Sequence, residues 1–229
     1  MNKELSGYEK KELLDHLLTF SSEHKNALFD KIIHYRTRYI TVVLEDLFQS
    51  HNASAVLRTC DCFGIQDVHI IENNNKFEIN PDIALGSAKW LSLYKYDMTK
   101  NTSGTILKEL KSRGYRIVAT TPHNSSCTLE KLKLDSKTAL LFGTELNGLS
   151  KEAEDCADEF LTIPMYGFTE SFNISVSAAI ILYYLTGKLR FSTINWVLSE
   201  DEITDVKLQW VKNSVRSSDL IEKRYLKNI

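Results

Sequence analysis

Apolar and polar positions change rhythm twice along the chain. After Ser6, with Glu9 three residues on, the pairs Leu13/Leu14 and Leu17/Leu18 recur at helical spacing, and Ser-x-x-Glu is a capping-box signature. Beyond Ser21-Ser22, the spacing of Leu28, Ile32 and Tyr35 predicts a second helix with those three on one face. From Tyr39 the texture becomes short β-branched runs alternating with helical stretches. Strands are expected at 39–45, 67–72, 91–97, 115–121, 138–143 and 160–164, and helices at about 50–63, 102–113, 150–157 and 171–185. That alternation predicts an α/β fold, a parallel sheet with helices on both faces. The runs VATT and ALLFG are apolar enough for central strands buried on both sides. Ser199 with Glu202 opens another capped helix, in which Ile203, Val206 and Trp210 share a face. The chain therefore divides into a helical extension (1–38), an α/β domain (39–187) and a second helical extension (188–229).

Composition narrows the class. The 229 residues are 43% hydrophobic and 25% charged, with a net charge of −2, which excludes disordered, collagen-like and coiled-coil chains. The longest apolar run, Ala178 to Leu185, is far short of the ~20 residues that span a bilayer. The opening MNKELSGYEKKELL has no apolar core behind its lysines, so neither signal peptide nor anchor is expected, and the expected location is the cytoplasm without a membrane partner. A charge of −2 argues against a protein that coats nucleic acid by bulk electrostatics. It averages unlike parts, however: residues 39–185 sum to −5, and residues 207–229 to +4. Of the four cysteines, Cys60 and Cys62 form CxC rather than CxxC, and no histidine pair completes a ligand set. No metal is expected, and the thiols are expected to be reduced.

Candidate chemistry begins with what the α/β pattern lacks. There is no GxGxxG, no GxxxxGK[ST] and no GxSxG, so neither a standard nucleotide loop nor a nucleophile elbow occupies the sheet edge. Three clusters break otherwise apolar elements instead. In SHNASAVLRTCDCFG (50–64), Ser50 or Asn52 suits a helix cap, whereas Arg58 sits among residues that look packed. In LFGTELNGLS (141–150), Gly143 and Gly148 flank Glu145 where a strand ends, allowing close approach of a ligand or of another backbone. In IPMYGFTESFNISVSAAIILYYL (163–185), a helix opens with Ser171, Asn173, Ser175 and Ser177, of which a cap explains one.

Taken together, Asn52-xx-Ala55-xx-Arg58, Phe142-Gly143-Thr144-Glu145-xx-Gly148-Leu149-Ser150 and Ile163-Pro164-Met165-x-Gly167-xx-Glu170-Ser171-x-Asn173-x-Ser175-Val176 resemble the three signature motifs of the SPOUT class, SpoU/TrmH family. These are RNA ribose 2′-O-methyltransferases that use S-adenosylmethionine. The resemblance covers residues 39–187, with the motifs in order and register.

The resemblance implies that the C-terminal part of the α/β domain forms a deep trefoil knot, a topology that general connection rules would have argued against. It implies that S-adenosylmethionine sits bent among loops 119–123, 142–148 and 163–172, with cofactor-binding groups at Thr120, Gly143, Ile163, Met165 and Phe172. Arg58 matches the arginine held to activate the ribose hydroxyl; Asn52, Glu145, Ser171 and Asn173 match positions that support it. A homodimer packed through the knot is implied, with Asn52 near the partner's site. Short helical extensions resemble members that methylate the D-loop guanosine of tRNA, so tRNA is favoured over rRNA, and no DNA partner is expected. The +4 tail, with Trp210 and Tyr225, offers a surface for phosphate contacts and base stacking. The alternatives are an rRNA ribose methyltransferase of the same family and a non-catalytic knotted RNA-binding protein. Retention of Arg58, Glu145 and Asn173 argues against the latter.

Overall fold

The six strands expected from Tyr39 onward, with a short seventh that the pattern does not predict, assemble into one seven-stranded sheet in a computed structural model that describes residues 5–47, 49–72, 78–97, 102–122, 127–144 and 147–227. In chain order the elements are α1 (Gly7–Leu18), α2 (Glu23–Ile33), β1 (Ile40–Glu45), α3 (Ser50–Phe63), β2 (Asp67–Glu72) and α4 (Pro81–Ala84). A 3-10 turn (Ser87–Lys89) precedes β3 (Ser92–Asp97), α5 (Ser103–Ser112), β4 (Tyr115–Thr120), β5 (Cys127–Thr128) and β6 (Lys137–Phe142). Then follow α6 (Lys151–Asp155), β7 (Glu159–Thr162), α7 (Ile174–Arg190), α8 (Glu200–Ser214) and α9 (Ser218–Lys227).

The chain forms two compact units, residues 37–196 and residues 1–36 with 197–229. In the first, the strand order is β3-β2-β1-β6-β4-β7-β5 and every pairing is parallel. Side chains alternate across the sheet, as strand geometry requires. Val42 and Leu44 of β1 face a core built with α3 and α7, while Val43 faces a second core with Leu107 and Leu110 of α5 and Ala153 of α6. Both faces are thus covered, and the buried character of VATT and ALLFG follows from the central places of β4 and β6.

The second unit is helical. Both capping boxes are present, Ser6/Glu9 on α1 and Ser199/Glu202 on α8. Trp210 is its buried centre, with Phe29 at 5.7 Å between ring centroids and the Arg36 guanidinium 5.2 Å above the indole. Two expectations are corrected here. The buried side of α2 is Phe29 and Ile33, while Leu28 and Tyr35 are exposed, because the stripe continues into Arg36, which is buried against Trp210. Trp210 cannot stack on a base, and Tyr225 stacks on His16 at 4.7 Å.

Helix α7 also differs from expectation. It begins at Ile174 rather than Ser171, because the Asn173 side chain accepts from the Ser175 N–H and caps it there. It runs on to Arg190, with Lys188 and Arg190 in the last turn, where cations complement the helix dipole.

Candidate functional site

Ligands of parallel α/β sheets bind outside the carboxyl ends of the strands, and the large cavity of this protein lies there. It encloses about 560 Å³, bordered by the ends of β4, β6 and β7, the segment 163–173 and the first turns of α7. All five residues expected to touch a cofactor line it: Thr120, Gly143, Ile163, Met165 and Phe172. Thr120 ends β4, its hydroxyl donating to the Leu141 carbonyl at 3.0 Å.

Gly143 leaves β6 under close constraint. A Cβ there would stand 2.3 Å from the Gly148 carbonyl oxygen and 2.6 Å from the Leu149 nitrogen, so only glycine fits. Thr144 and Gly148 exchange backbone hydrogen bonds of 2.8 and 3.1 Å, and Gly148 adopts φ +67°, the left-handed conformation that closes the turn. The two glycines therefore fold the chain back on itself and present main-chain groups to the cavity. Ile163, Met165, Phe172, Leu161 and Ile181 supply apolar wall.

Ser171 and Asn173 border the same cavity. Asn173 Nδ2 donates to Asn52 Oδ1 at 3.0 Å, and Asn52 Nδ2 donates to Gln49 Oε1 at 3.1 Å. Asn52 is buried inside the first turn of α3, whose N-cap is Gln49, so Asn52 is not the cap and its amide is committed to joining α3 to the mouth of α7. Arg58, six residues along α3, is exposed, although Val56 and Leu57 beside it are buried. It does not line the cavity among the described residues. Glu145 lies outside the described residues, as does His123 of the expected loop 119–123.

Thr121, Leu149 and Ser177 lie in segments that the sequence singled out and also line the cavity, whereas Glu154 was not foreseen. Glu154 is the one ionisable side chain lining the cavity among the described residues. It sits on a five-residue helix with no periodic signal, so only tertiary structure reveals it. No group of three or more His, Cys, Asp or Glu among the described residues is placed to hold a metal ion. An apolar slot with main-chain groups and one carboxylate suits a flat heteroaromatic ring joined to a positively charged group. Its volume is within the roughly 300–1,000 Å³ common to cofactor sites.

Residues 39–183 match the model of the SpoU rRNA Methylase family. The chain is 47% identical over 206 residues to the tRNA (guanosine(18)-2′-O)-methyltransferase of Borreliella burgdorferi, an alignment spanning 90% of this chain and 93% of that one. It is 33% identical over 190 residues to the enzyme of the same name from Aquifex aeolicus, spanning 81% and 87%. Among solved structures, the A. aeolicus TrmH/SpoU tRNA modifying enzyme superposes with a TM-score of 0.74 at 32% identity, covering 85% of this chain and 98% of that one. The AviRb methyltransferase of Streptomyces viridochromogenes, solved with AdoMet, shares the fold at a TM-score of 0.59 and 21% identity, over 71% and 62%.

Proposed function

The chain belongs to the SpoU rRNA Methylase family, and from that membership we propose that it transfers a methyl group from S-adenosylmethionine to the ribose 2′-hydroxyl of a tRNA D-loop guanosine. One observation carries the reading: residues of the second and third motifs, 14 to 31 positions apart, converge on one cavity of cofactor size. Its apolar wall suits adenine, the main-chain groups of Gly143, Thr144 and Gly148 suit the hydrogen-bonding edges of base and ribose, and the Glu154 carboxylate complements positive charge. The relatives named for guanosine 18 of tRNA supply the choice of nucleic acid.

S-adenosylmethionine supplies an electrophilic methyl group on a sulfonium. What remains for the protein is to orient the attacking hydroxyl, ease loss of its proton and exclude water. Arginine stays protonated at neutral pH, its pKa being above ~12, so it cannot accept that proton. Arg58 therefore grips a neighbouring RNA phosphate, which shares the task by holding the guanidinium in place, and stabilises the alkoxide that develops on the 2′-oxygen while its proton is lost to solvent. Asn52 and Asn173 hold α3 and α7 together so that Arg58 and the cofactor share a geometry, and Ser171 and Glu145 contact the ribose or the cofactor.

Several finer elements belong to the same proposal. The α/β domain spans 39–187 and carries the family's trefoil knot. Two chains pair through the knot region, where Tyr166, Phe168, Phe172, Val176 and Tyr183 are large apolar side chains left exposed. No described helix is long and apolar enough to cross a membrane, and the cytoplasm, where tRNA is found, is the proposed location.

The deciding experiment incubates the protein and labelled S-adenosylmethionine with tRNA and rRNA separately, then maps the modified ribose. Label at the D-loop guanosine of tRNA is expected. Label confined to rRNA would transfer the enzyme to that substrate, and none in either would leave a non-catalytic RNA-binding protein. Arg58→Ala, run alongside, is expected to lose roughly 100-fold or more in turnover while binding the cofactor normally.

A further inference from the structure

Glu45 is the last residue of β1, 2% exposed, and no signature motif contains it. A carboxylate buried to that degree needs several donors, and here they come from two other segments. Ser150 donates twice, through its N–H to Oε2 at 2.9 Å and through its hydroxyl to Oε1 at 2.7 Å; the Ser103 hydroxyl donates to Oε1 as well. Ser150 is the N-cap of α6, its oxygen accepting from the Ala153 N–H at 3.2 Å. Ser103 is the first residue of α5. Two helix starts thus meet at one buried anion, with the polarity that helix N-termini favour.

The position of this junction matters for the cavity. Strand β1 pairs with β6 in parallel register, Leu44 opposite Phe142. The chain leaves β6 after Phe142, lines the cavity with Gly143, Thr144, Asn147, Gly148 and Leu149, and returns at Ser150 to Glu45 on the adjacent strand. One end of that wall is held by the sheet, and the other by Glu45. Glu154 lies one turn beyond Ser150 on α6, so its place in the lining depends on the same anchor.

We propose that Glu45 is a positioning residue for the cofactor: by fixing Ser150 it preorganises the wall formed by Gly143, Thr144, Asn147, Gly148 and Leu149, and it sets affinity for S-adenosylmethionine without touching it. This rests on the reading of the cavity as the S-adenosylmethionine site. Glu45→Gln keeps the shape but turns an amide donor toward groups that are themselves donors. Ser150→Ala removes one hydrogen bond and the cap, whereas Ser150→Thr retains both.

The test is calorimetric titration of S-adenosylmethionine into the full chain, with melting temperature and steady-state kinetics measured in parallel. Glu45→Gln and Ser150→Ala are expected to raise Kd and KM for S-adenosylmethionine by about tenfold, the scale of one charge-assisted hydrogen bond. KM for tRNA should stay within about twofold, and Ser150→Thr should restore cofactor affinity. Thr41→Val is the structural control. It removes the buried 2.7 Å hydrogen bond to the Asp67 carbonyl from the same strand, so it should lower the melting temperature while leaving Kd unchanged. A folded Glu45→Gln with wild-type Kd overturns the proposal, as does a Kd that rises equally in Thr41→Val. Should Glu45→Gln not fold, the Ser150 pair decides: Ser150→Ala binding like wild type overturns it. Absence of binding by the wild-type protein instead overturns the reading of the cavity itself.

Discussion

Asn52 and Asn173 stand 121 positions apart, and one hydrogen bond makes them a single structural feature. Each has an ordinary local use, the first in the opening turn of a helix and the second as a cap. Their amides meet only because α3 and α7 pack on the same face of the sheet. A second residue-scale feature lies away from the cavity. His69 on β2 is 1% exposed, stacked on Tyr94 at 4.8 Å, with Nδ1 2.8 Å from the Tyr96 hydroxyl. Burial, reinforced by the nearby Arg113 cation, pushes its pKa down to about 4. Below pH 6.5 the unfolded chain gains a proton on this residue that the folded one refuses. Stability therefore declines as pH falls from 6.5 to 4, by up to about 3 kcal/mol for this group. NMR should show the His69 ring neutral down to pH 5; a midpoint near 6.5 would contradict the assignment.

At the scale of elements, the sheet was legible because parallel strands buried on both faces leave dense β-branched runs that survive without tertiary information. β1 and β6 emerged within a residue or two of their expected limits. The failures have physical causes. The buried stripe of α2 was misassigned because its last member is Arg36, a cation hidden under an indole, which no hydropathy pattern marks as interior. β5, two residues long, carries no periodicity at all. The site was legible in the glycine fold-back, where spacing follows local geometry, and illegible at Glu45, whose partners come from two other segments, and at Glu154, which only tertiary structure brings to the cavity. Helix α7 also shows what burial inside one chain leaves over: Ala178, Ile181, Leu182 and Leu185 are interior, whereas Val176 and Tyr183 remain exposed. If that face pairs two copies, Val176→Asp with Tyr183→Asp should convert a dimer to a monomer in light scattering and depress methylation with it. A wild-type chain already monomeric at assay concentration would remove the dimer from the proposal.

For the molecule as a whole, net charge is a poor guide to a nucleic-acid partner, because charges are partitioned by what they already do. In the tail, Lys207 pairs with Asp30 at 2.6 Å and Lys212 with Glu222 at 2.6 Å, and Trp210 is core. Removing residues 207–229 would therefore dismantle the helical unit, and lost RNA binding after such a deletion would say nothing about contacts. The exposed cations are Arg216, Lys223, Arg224 and Lys227, the last three on one side of α9 at i, i+1 and i+4 with Leu220. A short basic stripe of this kind offers local phosphate contacts that the net charge conceals. Changing Lys223, Arg224 and Lys227 together to Gln leaves Trp210 and the internal ion pairs intact. If the stripe contacts tRNA, the slope of log K against log salt should fall by about 2 to 3, and affinity at low salt by roughly tenfold or more. Melting temperature and S-adenosylmethionine affinity should not change. An unaltered slope would place the phosphate contacts elsewhere, and the helical unit would then act through structure alone.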